Sequence, residues 1–329
     1  MTTTTALMVP HTGGSEVLEV REYQVPDPGP GEVQVEIAAA GVNFIDVYQR
    51  EGVYPIPTPF VLGMEAAGVV RSLGAGVNEV HVGERVAWAL VMGTAAGVAN
   101  VPASRLITVP GEISLEIAAA AMLQGMTAHA LYDGVFDTQP GITAVVHAAA
   151  GGVGQLLVQL ITDRGGRVIA TAGTDAKLEI AAACGAAAGV NYSKYDDPGS
   201  LAAAIRACNH GAGVDVVFDG VGKATFDASL ASLRPRGLLA VFGAASGQVP
   251  PFDLQRLNQA GSVYLTRPNL AAYIADRDEL LRRGEDVLEH IARGRLEVEI
   301  GGRYKLAEAA LAYDDLEARR TTGKLLLTP

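Results

Sequence analysis

Hydrophobic and polar residues change rhythm twice along this chain. Over the first third they alternate: in Glu32-Val33-Gln34-Val35-Glu36-Ile37 every second residue is apolar, the pattern of a half-buried strand. Val17-Leu18-Glu19-Val20, Ala67-Gly68-Val69-Val70-Arg71 and Glu84-Arg85-Val86-Ala87 read as further short strands. The turn run Pro26-Asp27-Pro28-Gly29-Pro30-Gly31 and Gly-rich loops separate them, as in a barrel-like domain. From about residue 115 to 132 the pattern becomes helical. Continuous apolar segments then take over at 144–147, 167–171, 190–192, 214–218 and 238–242, with helical stretches at 177–184, 201–208 and 225–233 between them. Apolar strands separated by helices predict a parallel sheet covered on both faces. A last strand at 262–265 is followed by two amphipathic helices, 276–293 and 307–319, and by the terminal strand Lys324-Leu325-Leu326-Leu327. The fold class is α/β, with the parallel-sheet domain inserted into a domain built from both ends of the chain.

One junction in this pattern carries chemistry. The strand Ile142-Thr143-Ala144-Val145-Val146 runs into Ala148-Ala149-Ala150-Gly151-Gly152-Val153-Gly154, and Gln155-Leu156-Leu157-Val158-Gln159-Leu160-Ile161 continues at helical spacing. A strand, a small-residue turn and a helix are where a dinucleotide pyrophosphate is cradled, because free helix N–H groups and the positive helix end face the anion. The fingerprint reads Ala149-x-Gly151-x-x-Gly154, with Ala in the first glycine position. A tight turn with no ligand has the same letters; the strand before it and the helix after it favour the nucleotide. An NAD site places an acid at the end of the next strand, about twenty residues on, to hold the ribose 2′-OH. Here that strand ends Ala170-Thr171-Ala172-Gly173-Thr174, with no acid before Asp175 and with Lys177 close behind. Small residues and a Lys accept a 2′-phosphate, so NADPH is expected over NADH. His147, entering the turn, reads as a satisfied structural histidine.

Composition narrows the partners. With 329 residues, 49% hydrophobic and 19% charged, the chain is a well-buried globular protein of two domains. A formal charge of −11 argues against a nucleic-acid face and disfavours an anionic membrane, so a small-molecule ligand fits better. No apolar run spans a bilayer and Met1-Thr2-Thr3-Thr4-Thr5 is no signal peptide, so a cytoplasmic protein without membrane insertion is expected. Cys184 and Cys208 complete neither a disulfide framework nor a zinc cluster.

Several further segments, taken together, resemble the zinc-independent quinone oxidoreductase (zeta-crystallin-like) branch of the medium-chain dehydrogenase/reductase superfamily. They are Gly41-Val42-Asn43-Phe44-Ile45-Asp46, Gly63-Met64-Glu65-Ala66-Ala67-Gly68, Gln124-Gly125-Met126-Thr127-Ala128, the turn from His147 to Gly154, Thr266-Arg267-Pro268 and the closing Arg319. The resemblance implies a GroES-like β-barrel catalytic domain, 1–125 and 267–329, and an inserted Rossmann domain, 126–266, with NADPH in the cleft between them. It implies no catalytic metal: zinc-dependent relatives carry Cys where Asn43 stands and His where Met64 stands, and neither residue here is a zinc ligand of the Cys, His or acid type. Without a Lewis acid, hydride must go to an acceptor that is already electrophilic, a quinone or an α,β-unsaturated carbonyl. An enoyl thioester is the alternative acceptor in the same fold, and a non-enzymatic NADPH-binding, crystallin-like protein is a further one.

The resemblance also assigns residues. Asn43, Tyr48 and Tyr54 would face nicotinamide or substrate, either tyrosine stabilising a developing oxyanion or walling the site; a packed loop aromatic is an equal reading of Tyr54. Gly151, Gly152, Val153 and Gly154 would take the pyrophosphate. Gly173, Thr174, Lys177 and Tyr192 would take the 2′-phosphate, with Arg319 near the adenosine end. Thr127, Phe242, Gly243 and Ser246 would lie on the nicotinamide side. A homodimer through edge strands near Val263-Tyr264-Leu265 is implied as well.

Overall fold

The computed structural model describes residues 1–318 and 320–329. The chain divides into two compact units, Met1–Met126 with Ile274–Pro329, and Thr127–Tyr273. In chain order the first unit contains β1 (Thr2–Val9), β2 (Glu19–Val25), β3 (Glu32–Gly41), α1 (Phe44–Arg50), β4 (Phe60–Val61), β5 (Glu65–Leu73), β6 (Arg85–Ala89), β7 (Val98–Pro102) and β8 (Ile107–Thr108). Helix α2 (Leu115–His129) carries the boundary. The second unit runs β9 (Thr143–Val146), α3 (Gly152–Asp163), β10 (Arg167–Ala172), α4 (Asp175–Ala183), β11 (Ala188–Asn191), α5 (Pro198–Ala207), β12 (Val214–Asp219), α6 (Phe226–Ser232), β13 (Leu233–Val241), α7 (Gln255–Gln259), β14 (Tyr264–Thr266) and α8 (Leu270–Tyr273). The first unit resumes with α9 (Arg277–Ala292), β15 (Ile300–Lys305), α10 (Ala309–Glu317) and β16 (Lys324–Thr328).

The second unit is a six-stranded sheet ordered β11-β10-β9-β12-β13-β14, parallel at every pairing. Numbered within that sheet, the order is 3-2-1-4-5-6, the doubly wound arrangement whose strand order reverses beside its first strand. The reversal between β9 and β12 leaves a crevice at the strands' C-terminal ends, where such sheets bind ligands. Val145, Ile169, Val217 and Leu239 are fully buried in it, as continuous apolar strands require.

The first unit holds a sheet ordered β15-β16-β3-β5-β6-β8, with β7 on β3, and a three-stranded sheet β2-β1-β4. Val33, Val35 and Ile37 alternate inward as expected, but Gln34 between them is buried too. Its amide accepts from Thr2 Oγ1 at 2.9 Å and donates to the Pro26 carbonyl at 3.2 Å, so burial leaves it satisfied. The expected strand at Val17-Leu18-Glu19-Val20 starts only at Glu19: Ser15–Val17 is a short 3-10 turn. The Glu16 carboxylate there accepts from the Gly14 N–H at 3.0 Å and pulls the chain into a turn.

Candidate functional site

At the sheet reversal, β9 leads through His147 into a turn whose left-handed residue is an alanine: Ala148 has φ 51°. Gly151 caps α3 in an extended conformation and the helix starts at Gly152. The first-turn N–H groups of Gly152, Val153 and Gly154 therefore point out of the helix end without intrahelical acceptors, at the positive pole of the dipole. A Cβ on Gly154 would overlap the Ala148 carbonyl oxygen, so only glycine lets α3 lie this close to the turn. The position of the fingerprint's first glycine, Ala149, is buried and its N–H donates to the Thr171 carbonyl at 3.1 Å.

β10 brings Gly173 and Thr174 alongside. Thr174 caps α4, its hydroxyl accepting from the Lys177 N–H at 3.3 Å, which fixes Lys177 on the first turn. Tyr192 follows β11, and its phenol oxygen would lie 3.0 Å from a Cβ on Gly173. Gly173, Thr174, Lys177 and Tyr192 thus come together at one strand end. Asp175, the nearest acid, is bound by Lys194 Nζ and Asn191 Nδ2, each at 2.9 Å. The Lys194 hydrogen bond, then that of Asn191, holds the Asp175 carboxyl below its usual pKa, so it is an ionised but neutralised pair. Lys194 was not among the expected residues; its signal is its place two residues after Tyr192.

Phe242, Gly243 and Ser246 form a loop packed on the turn after β12. The Phe242 N–H donates to the Asp219 carbonyl at 2.8 Å, and a Cβ on Gly243 would overlap the Gly220 oxygen. The Ser246 hydroxyl donates to the Val221 carbonyl at 2.8 Å and accepts from the Ala224 N–H at 2.9 Å, which ties the loop to that turn. Arg267 braces the same loop by donating to the Phe242 carbonyl at 3.0 Å. Thr127 lies half-buried on α2, and Arg319 lies outside the described residues.

In the first unit Asn43 caps α1 and is 4% exposed. Its amide donates to the Gly41 carbonyl at 3.1 Å and to Glu65 Oε2 at 2.9 Å, and its carbonyl accepts from Lys324 Nζ at 2.6 Å. Both amide hydrogens are spent inside the unit, so Asn43, expected to face nicotinamide or substrate, is held in place at the start of α1 by its own unit. Lys324 also binds Glu65 Oε2 at 2.6 Å, and Glu65 Oε1 accepts from the Leu123 N–H at 2.6 Å. A Cβ on Gly41 would overlap the Glu65 carboxylate, so the pair depends on glycine there. Three residues along α1, Asp46 Oδ2 accepts from the Asn43 N–H at 2.9 Å and from the Tyr313 hydroxyl at 3.0 Å. Desolvation by burial outweighs these bonds and pushes the Asp46 pKa up to about 7. Tyr48 and Tyr54 pack edge to face, ring centroids 5.4 Å apart, with Tyr48 half-buried and Tyr54 40% exposed.

The chain was compared with known proteins. Residues 29–111 match the alcohol dehydrogenase GroES-like domain family, and residues 152–276 the zinc-binding dehydrogenase family. It is 40% identical over 321 residues to quinone oxidoreductase 1 of Escherichia coli, covering 96% of this chain and 97% of that one. It is 37% identical over 332 residues to the 2-haloacrylate reductase of a Burkholderia species, covering 98% of each. A mycobacterial protein solved in complex with NADPH superposes with a TM-score of 0.95 at 45% identity, over 99% of this chain and 100% of that one. The chain belongs to the quinone oxidoreductase branch of the medium-chain dehydrogenase/reductase superfamily.

For a quinone oxidoreductase-branch protein matched by a family described as zinc-binding, the donor set around Asn43 is informative. Asn43 directs amide hydrogens, not a lone pair, at Glu65, and the Lys324 ammonium already neutralises that carboxylate. A divalent ion there would meet a fixed cation 2.6 Å from the Glu65 carboxylate. Among the described residues no three His, Cys, Asp or Glu side chains group to hold a metal. Lys324 and Tyr313 completed this network unannounced by the sequence pattern; a Lys opening an otherwise apolar strand was the available signal.

Proposed function

We propose that this protein is an NADPH-dependent, zinc-free reductase of quinones or activated α,β-unsaturated carbonyls. The observation that carries the cofactor reading is the end of β10, where Gly173 lies against Tyr192 and the neighbouring Asp175 is neutralised by Lys194. A 2′-phosphate there meets hydroxyls and ammonium groups instead of a bare carboxylate. When bound, NADPH supplies the hydride from its nicotinamide C4. The N–H groups at the start of α3 hold the pyrophosphate, and Gly173, Thr174, Lys177 and Tyr192 hold the 2′-phosphate. Phe242, Gly243 and Thr127 position the nicotinamide side through shape and backbone, since the Ser246 hydroxyl is engaged by Val221 and Ala224.

No divalent Lewis acid suits the Asn43–Glu65–Lys324 cluster, so the acceptor must be electrophilic in itself. The named relatives fit that requirement, one acting on quinones and one on a 2-haloacrylate, both conjugated acceptors. Tyr54, exposed and hydroxyl-bearing, donates to the acceptor oxygen as charge builds there, with Tyr48 fixing its ring. An enoyl thioester is the second acceptor class, favoured by the same conjugation. The exposed edge strand β14, with Tyr264 64% exposed, supports a homodimer formed by pairing of this edge.

Steady-state kcat/KM with NADPH across a benzoquinone, an α,β-unsaturated ketone, a 2-haloacrylate and an enoyl thioester tests the reading. The quinone or the enone is expected to be reduced fastest. Negligible turnover of both beside rapid enoyl-thioester reduction gives the function to the second class, and stoichiometric zinc in the purified protein removes the zinc-free mechanism.

A further inference from the structure

Buried polar side chains join the C-terminal ends of β9, β10 and β12 to α6. Thr171, His147, Ser229 and Asp219 are all fully buried. His147 Nδ1 lies 2.7 Å from the Thr171 hydroxyl and Nε2 lies 2.9 Å from the Ser229 hydroxyl, which in turn is 2.8 Å from Asp219 Oδ2. Distances leave the direction of each bond open, but counting protons assigns them. Asp219 accepts from the Val221 N–H at 2.9 Å, the Gly222 N–H at 3.0 Å and the Thr225 hydroxyl at 2.8 Å, the pattern of an ionised carboxylate served by neutral donors. The single Ser229 proton goes to that charge in preference to the Thr225 carbonyl nearby, because charge-assisted bonds are the stronger. Ser229 Oγ is then an acceptor, so His147 donates from Nε2 and its neutral ring accepts from Thr171 at Nδ1. Burial lowers the His147 pKa, and Asp219 is the ionisable group that opposes this.

Thr171 holds both neighbours of the left-handed Ala148. Its hydroxyl reaches the ring of His147 on one side and its carbonyl accepts from the Ala149 N–H at 3.1 Å on the other. A non-glycine residue at φ 51° is in a region that L side chains rarely adopt and persists only where its surroundings enforce it. Two residues beyond Thr171 stands Gly173, in the 2′-phosphate cradle; directly after Asp219 comes the Gly220–Gly222 turn that carries the Phe242 loop.

We propose that the directed chain Thr171→His147→Ser229→Asp219 is the positioning device of the dinucleotide site. Thr171, His147 and Ser229 are positioning residues, which hold the α3 turn and the end of β10 in the geometry that receives pyrophosphate and 2′-phosphate. This rests on the NADPH reading above.

NADPH affinity and apo-protein melting are measured together for Thr171→Val, Thr171→Ser and Ser229→Ala. Loss of one bond of the chain is expected to weaken NADPH about tenfold. The loss should fall on KM for NADPH more than on kcat, with Thr171→Ser restoring the parental affinity. Nitrogen-15 histidine spectra of the parent are expected to show His147 neutral, protonated at Nε2 and bare at Nδ1, and still neutral at the ordinary histidine pKa of about 6.5. A proton on Nδ1 overturns the inference, as does parental NADPH affinity in Thr171→Val and Ser229→Ala, whether or not their melting falls. If Thr171→Val does not fold, Ser229→Ala and the parent spectra decide. A parent that binds no NADPH overturns the cofactor reading and this inference with it; a parent that binds beside indifferent variants overturns this inference alone.

Discussion

Glu65 in the first unit and Asp219 in the second are both fully buried carboxylates, and each is satisfied in its own way. Glu65 is paired with an ammonium, Lys324 Nζ at 2.6 Å, drawn from the opposite end of the chain. Asp219 receives two backbone N–H groups and two hydroxyls, all within 10 residues of it in sequence. The ion pair ties β5 to β16 strongly but with little directional demand. The neutral donors each bring a single hydrogen with a strong directional preference, so they specify geometry, which a nucleotide turn needs more than it needs raw stability. Asp46 is an intermediate case: Oδ2 has its donors, but Oδ1 is buried without a hydrogen-bond partner.

The largest effect should come from breaking the ion pair. Lys324→Met leaves Glu65 buried and unpaired and is expected to cost about 3–5 kcal/mol of unfolding free energy in urea titrations. Adding Glu65→Gln should recover most of it. A loss below about 1 kcal/mol, the worth of a surface pair, would erase the contrast between the two carboxylates.

Asp46 sharpens the comparison through pH. Its folded-state pKa is raised from 3.8 to about 7, so the folded protein holds the proton more tightly than the unfolded chain. Its contribution to stability is complete below the unfolded pKa and is lost as pH rises through about 7, a swing of about 2–4 kcal/mol. Asp46→Asn keeps an acceptor for Asn43 and Tyr313 and does not ionise. Its stability should therefore gain on the parent between about pH 5 and about pH 8. A constant gap across that range in denaturant titrations would show that the carboxyl is not held protonated by burial.

The smallest effects belong to the exposed charges around Gly173, which water and salt screen. Lys177→Ala should lower the NADPH-over-NADH preference in kcat/KM about tenfold, and Lys194→Ala, which frees Asp175, about threefold. An unchanged preference in Lys177→Ala removes the 2′-phosphate assignment.

Local signals show why the nucleotide region was readable in advance and the ionic cluster was not. The α3 turn, Gly173 and Lys177 are adjacent in sequence to the strands that carry them, and their chemistry follows from a strand, a turn and a helix in order. Asn43 is legible as a site candidate, but the partner that holds it is not, because Lys324 is 281 residues away and no local pattern reports such a contact. Ser246 was likewise expected on the nicotinamide side, and the fold spends its hydroxyl on Val221 and Ala224. Lys194 escaped notice because its value lies in neutralising Asp175, 19 residues before it.

What the sequence determined by itself was the order of elements, the parallel sheet, the phosphate turn and the missing acid after β10. Those are properties of short-range periodicity and of residues such as glycine that act through their own backbone. Only the tertiary structure decided which buried charges meet. Burial removes water from Glu65, Asp46 and Asp219, and the partner that replaces it is chosen by the packing of strands and helices distant in the chain.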